Sequence, residues 1–180
     1  GSGTNKVNTV AVTVETGRWY NFCMIRDHSG AIGTARTWYL FQDGVQIDSF
    51  TYTSSQDASG GTNSFTHIGS NIDGNDLNGK ISSVRIYSTP LSISQLRSNY
   101  NATAPRFKSG IDTGIVDTTT TLDRTDCVLE LDPSSPVCYY GGGSDVKDLA
   151  GGPTDGTLVN ATYNSSYGGV WDFDGNGDII

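Results

Sequence analysis

Charge of either sign is sparse in this 180-residue chain: Asp, Glu, Lys and Arg make up 17% of it, and only two glutamates occur, Glu15 and Glu130. That shortage bears on catalysis, because general acid–base work by paired carboxylates needs such groups close together. The eleven basic residues are scattered along a chain of net charge -8. A phosphate backbone is held by a clustered basic face, so nucleic acid is not an expected partner. No apolar run approaches the ~20 residues that cross a bilayer as a helix, so no membrane insertion is expected. No signal peptide is visible, and Gly1-Ser2-Gly3 reads as an expression scar or an internal linker. His28 and His67 each lack a neighbouring ligand set or nucleophile motif. Cysteine is limited to Cys23, Cys127 and Cys138. Cys23 sits in a strand pattern and reads as a small buried hydrophobe. Cys127 and Cys138 flank a proline-containing turn, and spacing alone leaves open whether they pair.

What the chain has in quantity is glycine, 23 residues, in a Ser/Thr/Asn-rich background. This describes a β-rich, loop-heavy protein. Lys6–Glu15 alternates Val10, Val12 and Val14 with polar residues, as a half-buried strand does. Arg18–Arg26 is apolar on both faces and reads as a central strand. Arg36–Gln42 and Val45–Tyr52 flank Asp43-Gly44, the strongest hairpin signal present, because a type I′ turn requires positive φ at both central positions. Val45 and Ile47 are expected on one face of the returning strand, Phe50 and Tyr52 on the other. Thr53–Ser64 reads as a long loop, Phe65–Gly69 as a short strand, and Ser70–Asn78 as an Asx-rich turn.

The stretch Gly79–Ala102 carries the most information. Lys80–Tyr87 has strand composition with imperfect alternation. Thr89-Pro90 stops it, since proline cannot donate to a ladder. Ser92 and Gln95 form a capping box, and Ile93, Leu96 and Tyr100 share one face of a short helix. An element of this kind usually closes a domain, yet the chain continues. Thr103–Arg124 is a Thr/Asp/Gly-rich linker or surface segment. Strand patterns resume at Asp126–Asp132, Thr157–Val159, Gly169–Gly175 and Asp178–Ile180. A strand ending on a bare Ile179-Ile180 pair normally continues or pairs with something.

At this point a resemblance emerges. Residues Val7–Ala102 resemble the second half of a concanavalin A-like, laminin G-like jelly-roll domain. The signatures are Gly17-Arg18-Trp19-Tyr20, Phe41-Gln42-Asp43-Gly44, Ile68-Gly69 and GKISSVRIYSTPLSISQLRSNYNA. Residues Cys127–Ile180 resemble the first part of the same kind of domain, through VLELDP, VKDLAG, DGTLVNATY and GGVWDFDGNGDII. The resemblance implies an all-β, two-sheet antiparallel jelly-roll sandwich with one short helix near residues 92–100. It divides the chain into 1–102 as a closing half, 103–124 as a linker and 125–180 as an opening part. The closing half comes first. Three arrangements would cover the edges this leaves: tandem domains cut across, a circular permutant, or strands exchanged between neighbouring chains.

The function this implies is a non-enzymatic structural and adhesion module of an extracellular or virion-surface assembly, with self-association or tandem copies. A carbohydrate-binding lectin module is the first alternative and a glycoside hydrolase the next. For glycan binding, Tyr139, Tyr140, Tyr163 and Tyr167 with Asn164 would supply stacking faces and a hydroxyl partner, against an ordinary role as rim aromatics. Trp19, Trp38 and Trp171 read as core. For calcium, Asp73, Asn75 and Asp76 cluster in one loop, and Asp172, Asp174, Asn176, Gly177 and Asp178 imitate the start of a calcium loop. Solvated Asx turns are the competing reading, and no cofactor is otherwise expected. Related glucanases present E-x-D-x-E or a longer variant. Here Glu130-Leu131-Asp132 is followed by Pro133-Ser134-Ser135, so the third carboxylate is missing and no catalytic residue is assigned. Sequons at Asn101, Asn160 and Asn164 matter only in a source that glycosylates secreted proteins.

Overall fold

The computed structural model describes residues 12, 14–53, 67–70, 76–107, 121–153 and 155–180. These residues form ten strands, one α-helix and two short 3-10 turns. Every strand pairing is antiparallel. The all-β class with a single short helix holds. The described strands form four separate ladders of three, three, two and two strands. The chain divides into two compact units, Gly1–Gly61 with Pro90–Asp123 and Thr62–Thr89 with Arg124–Ile180.

In the first unit, β1 (Phe22–Asp27), β2 (Thr37–Gln42) and β3 (Val45–Thr51) form a meander. Asp43 and Gly44 join β2 to β3 with φ of 51° and 77°, the doubly positive turn their types favour. A register shift between Leu40 and Phe41 disturbs strict alternation. Val45 is 63% exposed and Ile47 is partly buried, so the two residues expected on one face differ in burial. The expected strand over Lys6–Glu15 lies outside the described residues except for Val12, Val14 and Glu15. Those three belong to no strand, and Val14 is exposed.

The helix α1 (Ile93–Thr103) starts where the capping box places it. The Ser92 hydroxyl accepts the Gln95 N–H at 3.2 Å, and Gln95 Oε1 accepts the Ser92 N–H at 2.9 Å. Two donors that the first turn leaves orphaned are thereby satisfied. Leu96 is the buried residue of its apolar face. Gln95 Nε2 donates to Asp123 Oδ2 at 2.8 Å, and the Asp123 N–H donates to Asn99 Oδ1 at 2.7 Å. The end of the expected linker is thus fastened to the helix.

The second unit takes β4 (Asn78–Ile81) and β5 (Val84–Tyr87) from before the helix. From after it come β6 (Cys127–Leu131), β7 (Asp145–Val146), β8 (Gly156–Thr157), β9 (Thr162–Asn164) and β10 (Val170–Asp174). The strand read as continuous over Lys80–Tyr87 is two strands, separated at Ser82-Ser83, with different partners. β4 pairs with β10, Ile81 opposite Trp171 and Lys80 opposite Asp172. β5 pairs with β6, Arg85 opposite Glu130 and Ile86 opposite Leu129. The interruption explains the imperfect alternation. β9, which no apolar pattern marks, adds to the other side of β10.

Trp171, Phe173, Val146 and Leu131 are nearly inaccessible at the centre of this unit, and Ile81 packs on them. Burying side chains of this size stabilises by about 1.5–3 kcal/mol each. The Ile179-Ile180 pair finds partners within the chain. Ile179 bridges Val159, and Ile180 exchanges backbone hydrogen bonds of 3.0 Å with Ile68 in both directions.

Candidate functional site

The five residues considered for glycan contact divide sharply. Tyr139 does not stand on a rim. It is 5% exposed, its hydroxyl donates to the Gly143 carbonyl at 2.7 Å, and its ring meets Trp171 edge-on at 6.2 Å. Burial, with a smaller contribution from Tyr163, raises the pKa of its phenol. Tyr163 follows it inward on β9, with ring centroids 5.5 Å apart. Gly169, at φ 133°, lets the chain pass beneath Tyr163. A Cβ there would come within 2.5 Å of the Pro133 carbonyl oxygen and 3.0 Å of the Tyr163 hydroxyl. Asn164 spends its side-chain oxygen on a local turn, accepting the Ser166 N–H at 2.9 Å. Tyr140 and Tyr167 remain exposed, at 90% and 44%. Two of the four tyrosines are therefore available for stacking, and two build the core.

The two acidic loops meet, although the sequence presents them as separate. Asp73 and Asn75 lie outside the described residues. Asp76 Oδ2 accepts the Gly177 N–H at 2.9 Å. The Ser70 hydroxyl and that N–H together lower its pKa below the usual carboxylate value. Asp174 Oδ1 accepts the Asn176 N–H, and the buried Asp178 accepts the Asp174 N–H. Asp172 points elsewhere, to an ion pair with Lys80 across the β4–β10 ladder. Asp174 is an Asx-turn acceptor, whereas Asp76 and Asp178 accept N–H groups from outside such a turn. Among the described residues no cluster of three or more His, Cys, Asp or Glu side chains is arranged to hold a metal ion.

The most elaborate polar cluster centres on Glu130, a residue the sequence offered only as part of an incomplete motif. β6 carries it into the interior, 1% exposed. Arg124 grips it with two bonds, Nε to Oε2 at 2.6 Å and Nη2 to Oε1 at 3.1 Å. Arg85 on β5 donates from Nε to Oε1 at 3.1 Å and lies 3.8 Å from Asp132. Hydrogen bonding to Glu130 raises the already high pKa of Arg124 further. Asp148 completes the surroundings by accepting the Glu130 and Ala150 N–H groups, both at 2.8 Å. Both oxygens of Glu130 are taken by guanidinium donors, an arrangement that holds a charge in place and offers no free proton-transfer face.

Another buried acid lies in the first unit. Asp27, fully buried at the end of β1, accepts N–H groups from Gly30 and Ala31 on one oxygen and Ile32 on the other, at 2.8–2.9 Å. Burial pushes its carboxyl up. The N–H groups of Ile32, Ala31, Gly30 and Gly33 together outweigh that and leave it below the usual value. Nothing in composition or periodicity marks Asp27. Its one signal is its place before the Gly30–Gly33 loop. The thiols are all free, so Cys127 and Cys138 do not pair. Burial pushes Cys23 and Cys138 up to about 11, which makes them poor nucleophiles.

Residues 1–97, more than half of the chain, match the family model of the concanavalin A-like lectin/glucanases superfamily, and the chain belongs to that superfamily. No curated protein matches the chain. No solved structure matches it either. The superfamily's description spans lectins and glucanases, so membership by itself leaves binding and hydrolysis both open.

Proposed function

We infer that the chain is a non-enzymatic structural and adhesion module of an extracellular or virion-surface assembly. In this reading the closing and opening portions of the β-sandwich complement each other, within a chain or between neighbours. One observation carries it: the strands that resemble a domain's end, β4 and β5, form antiparallel ladders with the strands that resemble a domain's beginning, β10 and β6. The disposition of the acids supports the non-enzymatic part. Glu130 is held by two arginines, and Asp132 accepts the Ser134 N–H and hydroxyl. Neither is left facing a cleft with the other as an acid and nucleophile would be. No cofactor is part of this function.

Light scattering on the full chain over a range of concentrations tests the assembly. Species of increasing multiple mass that melt cooperatively are expected, and a monomer at every concentration sinks exchange between neighbours. Soluble glucans should remain intact on prolonged incubation; release of reducing ends would overturn the non-enzymatic reading.

A lectin role draws on a different observation, the exposure of Tyr140 and Tyr167. Retention on a panel of immobilised glycans, lost in the Tyr140→Ala, Tyr167→Ala double variant, would favour it. Failure to retain any glycan would remove it.

A further inference from the structure

Asparagine followed by glycine is especially prone to spontaneous loss of its side-chain amide, because glycine has no Cβ to keep its nitrogen from closing on the asparagine Cγ. The chain holds two such pairs, Asn78-Gly79 and Asn176-Gly177. The second unit places them in contrasting settings. Asn78 and Gly79 lie in the extended β4 ladder, opposite Asp174 and Phe173, and Asn78 Nδ2 donates to the Asp174 carbonyl at 3.0 Å. Asn176 instead is exposed, in a bend between two glycines with left-handed φ, Gly175 at 84° and Gly177 at 73°. The Gly177 peptide groups are engaged on both sides. Its N–H donates to Asp76 Oδ2 at 2.9 Å, and its carbonyl accepts Asn160 Nδ2 at 3.2 Å. Asp76 stays ionised at neutral pH, since the Ser70 hydroxyl and this same N–H lower its pKa.

We propose that Asn176 is a latent site of deamidation and isoaspartate formation, with the Asp76 carboxylate as the group that holds it unreacted. The reaction begins when the Gly177 nitrogen loses its proton to water or hydroxide. That nitrogen attacks Asn176 Cγ, the new N–C bond closes a succinimide ring, and the Cγ–Nδ2 bond breaks as Nδ2 takes up a proton and leaves as ammonia. Water then opens the ring at one carbonyl or the other. Opening at Cγ leaves aspartate, and opening at the main-chain carbonyl leaves isoaspartate, with the backbone rerouted through the side chain. The first step creates an anion at the Gly177 nitrogen. An ionised carboxylate hydrogen-bonded to that nitrogen disfavours the anion, as a neighbouring like charge does. The same bond fixes the peptide plane, so the nitrogen is kept from swinging toward Asn176. Isoaspartate adds a carbon to the backbone just before Asp178, which is buried and accepts the Asp174 N–H. Ile179 and Ile180 follow, bonded to Val159 and Ile68. Conversion therefore loosens residues 177–180 from the neighbouring segments. None of this depends on whether the chain assembles or binds glycan.

Full-length wild type, Asp76→Asn and Asp76→Ala chains are aged side by side at mildly alkaline pH, folded and in denaturant. Tandem mass spectrometry of proteolytic peptides follows each asparagine, and isoaspartyl methyltransferase labelling separates isoaspartate from aspartate. Both Asn-Gly pairs should react readily in denaturant. In folded wild type Asn176 should react slowly. Asp76→Asn keeps an oxygen to accept the Gly177 N–H and removes the charge, so it should convert Asn176 about tenfold faster. Asp76→Ala should be at least as fast, and Asn78 should stay intact in every folded chain. Equal or slower conversion of Asn176 in the variants overturns the role of Asp76. Resistance of Asn176 in both folded variants, beside conversion in denaturant, overturns the site itself. Asn78 reacting together with Asn176 traces the effect to general loosening and overturns the local guard. In the aged Asp76→Asn chain the Ile68 and Ile180 amides should exchange faster than before ageing, with Leu96 in the first unit unchanged. Unaltered exchange at Ile68 and Ile180 after conversion overturns the loosening.

Discussion

The two units of this chain are each built from antiparallel strands, yet they hold their deepest acids by different means. The first unit places its deepest carboxylate, Asp27, in a cage of backbone N–H groups only a few residues away, and holds its helix by a local capping box. The second unit places its deepest carboxylate, Glu130, against guanidinium groups, one of them 45 residues earlier in sequence, above a contiguous apolar cluster around Trp171 and Phe173. One unit is organised by short-range hydrogen bonds and the other by long-range packing. The family match covers β1 to β5, whereas most of the apolar cluster lies in Leu131–Ile180, beyond it. Family signature and core density thus sit in different parts of the chain.

The contrast can be broken most forcefully at Trp171. Trp171→Ala should cost about 3–5 kcal/mol. Amide exchange should show the loss in the second unit, with β1–β3 protected as before. Equal loss of protection in both units would show that they unfold as one. Next in size, Glu130→Ala removes the partner of a buried arginine and should cost about 3 kcal/mol in denaturant unfolding. High salt should rescue little of it, since a buried pair is weakly screened.

Asp27→Ala strands several N–H groups and should cost about 1–3 kcal/mol, confined to the first unit. The sign with pH follows from its depressed carboxyl. Its contribution is complete above the unfolded value and lost as pH falls through the lower folded value. Wild type should therefore lose first-unit stability on acidification below about pH 4, and Asp27→Asn should show a shallower dependence over that window. The smallest effect is expected at the helix start, where Ser92→Ala should cost about 1 kcal/mol. Thermal melts would detect it, and Ser92→Gly should lose less.

Much of the local structure was legible because it is decided within a few residues. Asp43-Gly44, Ser92 with Gln95, and the stop at Thr89-Pro90 each act through their own backbone. The β4–β5 break was less legible, because Ser82-Ser83 is compatible with a strand until two different partners claim its flanks. The candidate site was legible only in part. Tyr139 and Tyr140 are adjacent and chemically identical, and only packing against Trp171 makes one core and the other exposed. Asp76 and Gly177 look like members of two separate loops until the fold joins them.

By itself the amino-acid sequence determined the antiparallel β class, the hairpin at Asp43-Gly44, the helix start at Ser92 and the superfamily, since turns, caps and alternation are short-range properties. Only the tertiary structure decided that β4 faces β10, that β5 faces β6, and that Glu130 is a clasped structural charge. Those outcomes depend on which distant strands exclude water together, and strand register across a long connection is set by side-chain complementarity at the finished contact, which no local window contains.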